Sequence, residues 1–361
     1  YARHLALDGF GATGQARLRA ASALIIGAGG LGSPAALYLA AAGIGRLGLI
    51  DFDTVELSNL QRQVLFTTAD IGRGKAVSAR ARLLELNPAL RIDTWSVRFD
   101  SRNAAGLVAE HDLLIDGSDR LATRYLVNDA CVLGGKPLVT AAIHRFEGQA
   151  LTFVPGAGPC YRCLFEHSAE DLIPNCATAG VLGVLPGVMG SIQATEAIKV
   201  LTGIGTPLTG RLLTYDALNL RFAEFAFARR RDCAVCGDAP SITQLAMEPP
   251  EVPSDARLLR LTPEQLQDRL ADGSRRAALQ LVDVREQYEW DAGHLPDCLH
   301  IPLGTLGERF AEIPGDKTPV FICAAGARSL HACRFALSQD RSAINLDGGL
   351  HAWTADIGEL G

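Results

Sequence analysis

The sequence predicts an α/β fold made of two units. Residues 23–50 have the pattern of a strand, a glycine-rich turn, a helix and a second strand, which is typical of nucleotide-binding sheets. Residues 257–361 alternate again between short apolar runs and helical stretches. Residues 248–256, which separate the units, are rich in proline and acidic side chains, as expected of a semi-rigid linker. We therefore predict a first domain over residues 1–247, a linker over 248–256 and a second domain over 257–361.

The composition limits the classes of function to consider. Of the 361 residues, 48% are hydrophobic and 20% are charged, which is ordinary for a globular protein with sizeable cores. The formal net charge is -6 and no basic run is longer than Arg229-Arg230-Arg231, so nucleic acid is not expected as a ligand. The apolar stretch at 177–192 is interrupted by Pro186 and by glycines, so we expect no membrane span. Nine cysteines without a recognisable signal peptide favour a reducing, cytoplasmic location.

The first unit begins with the glycine spacing of a nucleotide site. Gly27, Gly29 and Gly32 follow the first strand at the G-x-G-x-x-G spacing, and Asp51 and Asp53 come at the end of the second strand. Glycines let a phosphate approach the backbone amides at a helix N-terminus, and an acid about 20 residues further on accepts hydrogen bonds from ribose hydroxyls. Glycine-rich turns also serve close packing of a helix on a strand, and the pattern does not name the nucleotide.

Further charged residues are expected to reach the same crevice as Asp51. Arg62 lies in a polar segment after the second strand, Lys75 begins a predicted helix over residues 75–86, and a later apolar strand is followed by Asp119. Ligands bind at the carboxyl ends of strands in open α/β sheets. The two cations suit a triphosphate and the aspartate suits Mg²⁺, although there is no Walker A pattern. Each of these residues alone is more often a surface cation or a turn residue.

Two C-x-x-C pairs predict a metal site. Their four thiols offer the tetrahedral sulfur shell that Zn²⁺ prefers, and two pairs in one chain favour structural zinc over a redox disulfide. The four cysteines are Cys160, Cys163, Cys233 and Cys236. Cys176 lies in the segment between the pairs, where a lone cysteine is either a spare thiol or a catalytic one.

The second unit contains a cysteine loop that favours an anionic sulfur. A predicted buried strand over residues 319–322 ends at Cys323, Arg328 follows, and residues 329–337 are predicted to form a helix. Backbone amides and the helix dipole at such a place stabilise a thiolate, or a persulfide built on it. Cysteine-dependent phosphatases place five residues between the cysteine and the arginine, whereas four separate them here. The tighter loop suits one added sulfur better than a phosphate.

Several motifs spread along the chain occur together in known families. In the first unit they are the glycine turn with Gly30, Asp51-Phe52-Asp53, the sequence Ser-Asn-Leu-Gln-Arg-Gln at 58–63, Lys75, Asp116 with Asp119, and the two C-x-x-C pairs. These resemble the MoeB/ThiF family of ubiquitin-activating-type adenylyltransferases. Residues 257–361 resemble a rhodanese domain through Asp283-Val284-Arg285, Gly293-His294-Leu295-Pro296 and the Cys323 loop. The resemblance implies a Rossmann-like adenylation domain with a mainly parallel sheet, followed by a small α/β rhodanese domain.

The resemblance also implies roles for individual residues. Arg3 matches an N-terminal arginine that, in the homodimers of the family, reaches the nucleotide of the other subunit. Cys176 matches the family's loop cysteine, and Cys323 matches the persulfide carrier. The matched zinc ligands are the four cysteines of the C-x-x-C pairs. The positions of the ATP and Mg²⁺ site are Gly27, Gly29, Gly30, Gly32, Asp51, Asp53, Ser58, Asn59, Leu60, Gln61, Arg62, Gln63, Lys75, Asp119 and Arg120, the last standing where the family often has Asn.

The activity implied by the resemblance joins two reactions. The first is adenylation, with Mg²⁺ and ATP, of the C-terminal glycine of a ubiquitin-like sulfur carrier ending in Gly-Gly. A persulfide on Cys323 then displaces AMP, and the product is the carrier thiocarboxylate. Cys176 either cleaves the intermediate acyl disulfide or forms an acyl thioester first. Ala324 stands where many thiosulfate-using rhodaneses carry a basic residue, so the expected sulfur donor is a protein persulfide or thiosulfate.

Two functions of other classes fit part of the sequence. An NAD-dependent oxidoreductase fused to a rhodanese would explain the glycine turn and Asp51, but would leave Lys75 and the cysteine pairs without a role. A non-catalytic scaffold that holds carriers would have no use for Asp119 or Cys323.

Overall fold

The computed structural model describes residues 1–166, 180–245 and 258–356. Contacts within the chain divide it into two compact units, Tyr1–Glu248 and Pro249–Gly361. The linker expected over residues 248–256 lies outside the described residues, so its role stays a prediction. Within the described ranges, no helix combines the length and the apolar character needed to cross a membrane.

The first unit alternates strands and helices along the chain. Its helices are α1 (Ala2–Leu5), α2 (Gly11–Ala20), α3 (Gly32–Ala42), α4 (Lys75–Leu86), α5 (Ala104–Ala109), α6 (Leu121–Gly134), α7 (Tyr161–Leu164) and α8 (Leu185–Thr202). Its strands are β1 (Ser22–Ile26), β2 (Arg46–Ile50), β3 (Arg91–Trp95), β4 (Leu113–Asp116), β5 (Leu138–His144), β6 (Glu147–Phe153), β7 (Arg211–Asp216) and β8 (Arg221–Ala226). Two short 3-10 helices, Leu57–Asn59 and Thr68–Asp70, lie between β2 and α4.

The eight strands form one mixed sheet in the order β3-β2-β1-β4-β5-β6-β7-β8. Neighbouring strands from β3 to β5 pair in parallel, and β6, β7 and β8 extend the sheet with antiparallel pairs. In this register Ile26 pairs with Ile50 of β2 and with Asp116 of β4. The carboxyl ends of three adjacent parallel strands therefore meet at one edge. The predicted Rossmann-like sheet is confirmed.

Apolar side chains bury both faces of the central strands. Ile25 and Leu49 belong to the core on one face of the sheet, together with Leu39 of α3. Leu24 and Ile50 belong to the core on the other face. Because successive side chains of a strand point to opposite faces, a continuous apolar run is what a parallel strand covered by helices on both sides requires.

The second unit has a smaller sheet of five parallel strands in the order β11-β10-β12-β13-β9. Its strands are β9 (Leu258–Leu261), β10 (Leu279–Asp283), β11 (Cys298–His300), β12 (Thr318–Ile322) and β13 (Ala343–Leu346). Its helices are α9 (Pro263–Ala271), α10 (Gly273–Ala277), α11 (Gln287–Asp291), α12 (Leu306–Arg309), α13 (Ala327–Ser338) and α14 (Gly349–Asp356), with 3-10 turns at Leu303–Thr305 and Phe310–Glu312. The central strand is β12, so the loop that begins at Cys323 leaves the middle of the carboxyl edge.

Candidate functional site

The glycine turn between β1 and α3 lies against the end of β4. A Cβ at Gly32 would lie 1.9 Å from the carbonyl oxygen of Gly27, and a Cβ at Gly27 would lie 3.0 Å from that of Gly117. Gly27 also has a φ of 87°, in the left-handed region that favours glycine. The turn therefore requires glycine at these positions. Its close approach to Gly117 brings the loop that carries Asp119 beside it.

Asp51 follows β2 and holds the glycine turn in place. Its Oδ2 accepts a hydrogen bond from the Ala28 amide at 2.8 Å, and its Oδ1 accepts one from the Asp53 amide at 2.9 Å. Burial raises the pKa of the Asp51 carboxyl, although both amides and Lys75 oppose this shift. Sequence reasoning gave Asp51 a contact with ribose, and the structure adds a second role in ordering the turn.

Lys75 brings a fixed positive charge to the same edge of the sheet. It is the first residue of α4, and its side chain is 7% exposed. Its Nζ donates a hydrogen bond to Oδ2 of Asp53 at 3.1 Å. Because a buried ammonium is stable only with a partner, this pair keeps the charge beside the end of β2.

Gln63 leaves one hydrogen-bonding atom without a partner next to the glycine turn. Its side chain is buried, and its Oε1 accepts no hydrogen bond from the residues that the structure describes. Its Nε2 would lie 3.5 Å from a Cβ at Gly29, and Cγ of Arg62 would lie 3.7 Å from a Cβ at Gly30. Buried polar atoms are normally satisfied, so a ligand hydroxyl or amine that donates to this oxygen fits the site. The residues present therefore fit a bound nucleotide.

The other residues of the 58–63 segment frame this position. Arg62 donates through Nη1 to the carbonyl oxygen of Ser58 at 3.1 Å, which holds its guanidinium over the segment. Ser58 and Asn59 belong to the 3-10 helix, and Leu60 and Gln61 follow it directly. A Cβ at Gly183 would lie 2.3 Å from Oε1 of Gln61, so this segment also packs against the chain before α8.

A buried ion pair positions the loop that carries Asp119. Asp116, fully buried at the end of β4, accepts hydrogen bonds from Arg124 Nε at 3.0 Å and from Thr140 Oγ1 at 2.8 Å. Its other oxygen accepts from the Ser118 amide at 3.0 Å. Asp119 and its neighbour Arg120 are exposed, which leaves the Asp119 carboxylate accessible to a cation. Sequence reasoning gave the Asp116 and Arg124 pair no role, although an acid that ends an apolar strand signals that a partner is needed.

The structure does not place two of the residues predicted from the sequence, Arg3 and Cys176, in this crevice. Arg3 is exposed on α1. Cys176 lies outside the described residues. The reach of Arg3 into a second subunit and the part played by Cys176 in the reaction both stay predictions.

The two C-x-x-C pairs meet in space, although about 70 residues separate them in the sequence. The four Sγ atoms lie within 4.8 Å of one another. Cys160 Sγ is 3.7 Å from Cys233 Sγ, and Cys163 Sγ is 3.4 Å from Cys236 Sγ. A tetrahedral site with Zn–S distances of about 2.3 Å has sulfur atoms about 3.8 Å apart, so the cluster fits Zn²⁺.

The electrostatics of the cluster also suit a metal. Hydrogen bonding between Cys160 and Cys163 lowers the pKa of Cys163 to about 4 and raises the pKa of Cys160. Burial raises the pKa of Cys236 to about 11. The raised pKa values of Cys160 and Cys236 disfavour their thiolates, which a bound Zn²⁺ would stabilise. The Arg230 amide donates to Cys163 Sγ at 3.5 Å, the kind of outer contact that orients a metal ligand.

Cys323 starts the loop between β12 and α13 and is almost fully buried. Its Sγ accepts a hydrogen bond from the Gly326 amide at 3.1 Å and lies 3.3 Å from Ser329 Oγ. The carbonyl oxygen of Cys323 accepts from the Leu350 amide at 2.8 Å, and that of Ala324 accepts from the His351 amide at 2.9 Å. These two bonds to α14 fix the backbone of the loop, and the Gly326 amide donates to the sulfur. This arrangement stabilises a thiolate or a persulfide anion.

Arg328, in the first turn of α13, is paired with an acid that sequence reasoning did not identify. Its Nη1 and Nη2 donate to the two carboxylate oxygens of Glu289 at 2.6 and 2.7 Å. The pair lowers the pKa of Glu289 and raises that of Arg328. Both groups are therefore charged at neutral pH.

Comparisons with known proteins agree with both parts of the structure. A sequence model of the ThiF family matches residues 1–235, and one of the Rhodanese-like domain matches residues 262–356. The probable adenylyltransferase/sulfurtransferase MoeZ of Mycobacterium tuberculosis is 43% identical, over 99% of this chain and 93% of that protein. The adenylyltransferase and sulfurtransferase MOCS3 of Sus scrofa is 42% identical, over 99% of this chain and 85% of that protein.

Other relatives match about two thirds of the chain. The sulfur carrier protein adenylyltransferase of Thermus thermophilus is 51% identical, over 68% of this chain and 93% of that protein. Among solved structures, that of Escherichia coli MccB with ATP superimposes with a TM-score of 0.56 and 25% identity, over 62% of this chain and 68% of MccB.

Proposed function

Because this chain belongs to the ThiF family and continues into a rhodanese-like domain, we propose that it activates a ubiquitin-like sulfur-carrier protein with ATP and then transfers sulfur to it. The relatives that span nearly the whole chain are named adenylyltransferase and sulfurtransferase. The observation that carries the proposal is the buried Cys323 sulfur, held by a backbone amide, in the same chain as the glycine-turn crevice.

The first reaction joins the carrier to AMP. The C-terminal carboxylate of the carrier attacks the α-phosphorus of ATP, a P–O bond forms, and pyrophosphate leaves with the electrons of the broken bond. A C-terminal carboxyl has a pKa of about 3.5, so it is already ionised and needs no general base. Lys75 and Arg62 would offset the phosphate charge, and Arg3 would add a charge from the second subunit of a homodimer. Catalysis then comes from positioning and electrostatics.

Two metal ions complete the proposal. Asp119 would hold Mg²⁺, which supplies positive charge to the phosphates. The exposed carboxylate beside the glycine turn supports this assignment. The four cysteines of the two pairs would hold one structural Zn²⁺, as their spacing supports.

The second reaction exchanges AMP for sulfur. The terminal sulfur of a persulfide on Cys323 attacks the acyl carbon, AMP leaves, and the carrier becomes joined to Cys323 through an acyl disulfide. A thiolate then attacks Sγ of Cys323, which breaks the S–S bond and releases the carrier thiocarboxylate. We assign that thiolate to Cys176, or else Cys176 accepts the acyl group first as a thioester. If Cys176 cleaves the acyl disulfide, it becomes joined to Cys323 in a new disulfide, which an external thiol reduces with two electrons before a persulfide or thiosulfate reloads Cys323.

The state of the cysteine thiols supports a cytoplasmic location. The eight cysteines within the described residues are free of disulfides, which suits a reducing compartment such as the cytoplasm. The NAD-dependent oxidoreductase alternative lacks support, because the relatives are named adenylyltransferases.

The proposal is tested with the full chain, Mg-ATP, a persulfide donor and a panel of carriers ending in Gly-Gly. We expect the intact mass of one carrier to change by one oxygen replaced by sulfur. The Asp119→Asn variant should lower the rate of carrier adenylation at least about 100-fold, because it removes the Mg²⁺ ligand. It should leave persulfide formation on Cys323 intact.

Asp268→Asn provides the matched control, since Asp268 is an exposed aspartate on α9 of the second unit. We expect it to form thiocarboxylate at the wild-type rate. The proposal is wrong if no carrier gains AMP or sulfur, or if Asp119→Asn adenylates as fast as this control.

A further inference from the structure

Glu289 holds both terminal nitrogens of Arg328 beside the Cys323 loop. The two hydrogen bonds, at 2.6 and 2.7 Å, form the parallel pair that a guanidinium and a carboxylate make when both are fixed. About four-fifths of each side chain is buried, with 21% of Arg328 and 18% of Glu289 exposed. Within the described residues Nε of Arg328 is buried and has no partner. Glu289 therefore takes two of the five N–H donors of Arg328, one on each terminal nitrogen, before any sulfur donor arrives.

The backbone around Glu289 is anchored, so this pairing is not a chance surface contact. Oε2 of Glu289 also accepts a hydrogen bond from the Glu286 amide at 3.1 Å. The neighbouring Trp290 ring is stacked against His294 and His300, with ring centroids 3.6 and 4.7 Å away. His300 in turn contacts the Arg285 carbonyl oxygen through Nε2 at 2.9 Å. The short helix α11 therefore presents its carboxylate from a fixed position.

The pairing sets the charge that an incoming donor meets. The loop residues between Cys323 and Arg328 are Ala324, Ala325, Gly326 and Ala327, which carry no charge. Arg328, which follows them, brings the positive charge to the loop. Its ion pair with Glu289 neutralises that charge. An anion at this loop would be stabilised by backbone amides and not by a net positive charge.

Two kinds of sulfur donor release leaving groups of different charge at the Cys323 loop. With thiosulfate, the Cys323 thiolate attacks the sulfane sulfur, the S–S bond of thiosulfate breaks, and sulfite leaves with two negative charges. With a persulfide R–S–SH, the thiolate attacks the terminal sulfur, the S–S bond of the persulfide breaks, and the thiolate R–S⁻ leaves with one negative charge. Both reactions leave one extra sulfur on Cys323 and need no further oxidant or reductant.

We propose that Glu289 is a specificity-determining residue. It neutralises Arg328 and thereby disfavours dianionic sulfur donors such as thiosulfate relative to persulfides. This inference rests on the proposed sulfurtransferase function of Cys323. It adds a residue and a donor class to that function. Glu289 acts through Arg328, so it is a positioning residue and does not itself touch the sulfur.

The test compares two donors on the full-length protein. Sulfur loading of Cys323 is followed by intact mass and by thiocyanate release to cyanide, with thiosulfate or glutathione persulfide as the donor. Glu289→Gln keeps the size of the side chain and removes its charge. We expect the ratio of kcat/KM for thiosulfate to that for the persulfide to rise at least about fivefold, mainly through a lower KM for thiosulfate.

Two further variants separate charge from structure. Glu289→Asp keeps the carboxylate, and its donor ratio should stay within about twofold of the wild type. Glu312→Gln removes the acid of another paired arginine and glutamate, Arg309 and Glu312, which make bonds of 2.7 Å on the surface of the same unit. Its donor ratio should equal that of the wild type.

The outcomes distinguish this inference from the function on which it rests. A donor ratio unchanged in Glu289→Gln, or equal losses with both donors, would show that Glu289 has only a structural role and would overturn the inference while Cys323 still accepts sulfur. A shift in Glu289→Asp as large as in Glu289→Gln would overturn it too. Failure of the wild type to load Cys323 from either donor would overturn the proposed sulfur transfer itself.

Discussion

At the scale of single residues, each site combines a glycine-bearing loop with charges that are already paired. Glycine lets the chain turn sharply in both places, at Gly27 after β1 and at Gly326, each with a φ of 87°, and the Gly326 amide donates to Cys323 Sγ. Lys75 is held by Asp53, and Arg328 is held by Glu289. Because these side chains are fixed before substrate binds, little reorganisation remains to be made during the reaction.

The glycine turn gives a prediction at this scale. Gly32→Ala would place a Cβ 1.9 Å from the Gly27 carbonyl oxygen, so the turn must open. We expect ATP affinity to fall at least about tenfold and the free energy of unfolding of the first unit to fall by about 1–3 kcal/mol. Calorimetric titration with a non-hydrolysable ATP analogue and thermal unfolding measure the two effects.

The matched control for this prediction is Gly106→Ala in α5. A Cβ there meets nothing within 4 Å, and alanine is the better helix former. This variant should bind the analogue like the wild type and be at least as stable. Equal affinities of the Gly32→Ala and Gly106→Ala variants for the analogue would refute the role given to the turn.

The sequence predicted residue types better than it predicted residue partners. Asp51 was expected to face a ribose, and its oxygens also hold the Ala28 and Asp53 amides. Glu289 received no role from the sequence, because its partner Arg328 lies 39 residues further on. Such pairs depend on how the strands of a sheet are ordered, which local patterns do not specify.

At the scale of elements, the cysteine cluster joins segments that the sheet alone would not hold together. One pair lies at the start of α7, and the other lies in the loop after β8. Asp129 of α6 pairs with Arg162 of α7 through two bonds of 2.7 Å, which fixes the first pair on its neighbouring helix. A metal would therefore tie the end of the antiparallel part of the sheet to α6 and α7.

Removal of the metal gives a prediction for these elements. Cys236→Ser should lower the zinc content from one ion per chain to near zero and lower the unfolding temperature of the first unit, because metal binding energy contributes to folding. Persulfide loading of Cys323 should not change. Metal analysis, differential scanning calorimetry and intact mass measure these effects.

Cys131→Ala serves as the control, since Cys131 is another buried thiol of the same core and lies outside the group of four sulfur atoms. It should keep its zinc. Full zinc occupancy in Cys236→Ser, or a zinc-free wild type, would contradict the assignment.

Elements with strong local signals were predictable. The helix expected over residues 75–86 is α4 (Lys75–Leu86), and Pro88 follows soon after its end. The βαβ order around the glycine turn was also predictable, because the residues of that unit are close in sequence. The antiparallel extension by β6, β7 and β8 was not, since pairing between distant strands leaves no periodic pattern in the sequence.

At the scale of the whole molecule, the chain contains two units that each have their own sheet and hydrophobic cores. The nucleotide crevice and the cysteine cluster belong to the first unit, and the Cys323 loop belongs to the second. Since the residues proposed for adenylation lie in the first unit and the proposed persulfide carrier Cys323 lies in the second, we predict that adenylation can survive the loss of sulfur transfer.

The measurement that tests this most directly is the intact mass of the carrier after incubation with the Cys323→Ala protein, Mg-ATP and a persulfide donor. We predict that the carrier accumulates as its AMP adduct and that no thiocarboxylate forms. Cys298→Ala, which removes a half-buried thiol of the same unit, should still give thiocarboxylate. Thiocarboxylate from the Cys323→Ala protein, or no AMP adduct from it where the wild type is active, would contradict the assignment of sulfur transfer to Cys323 and of adenylation to the first unit.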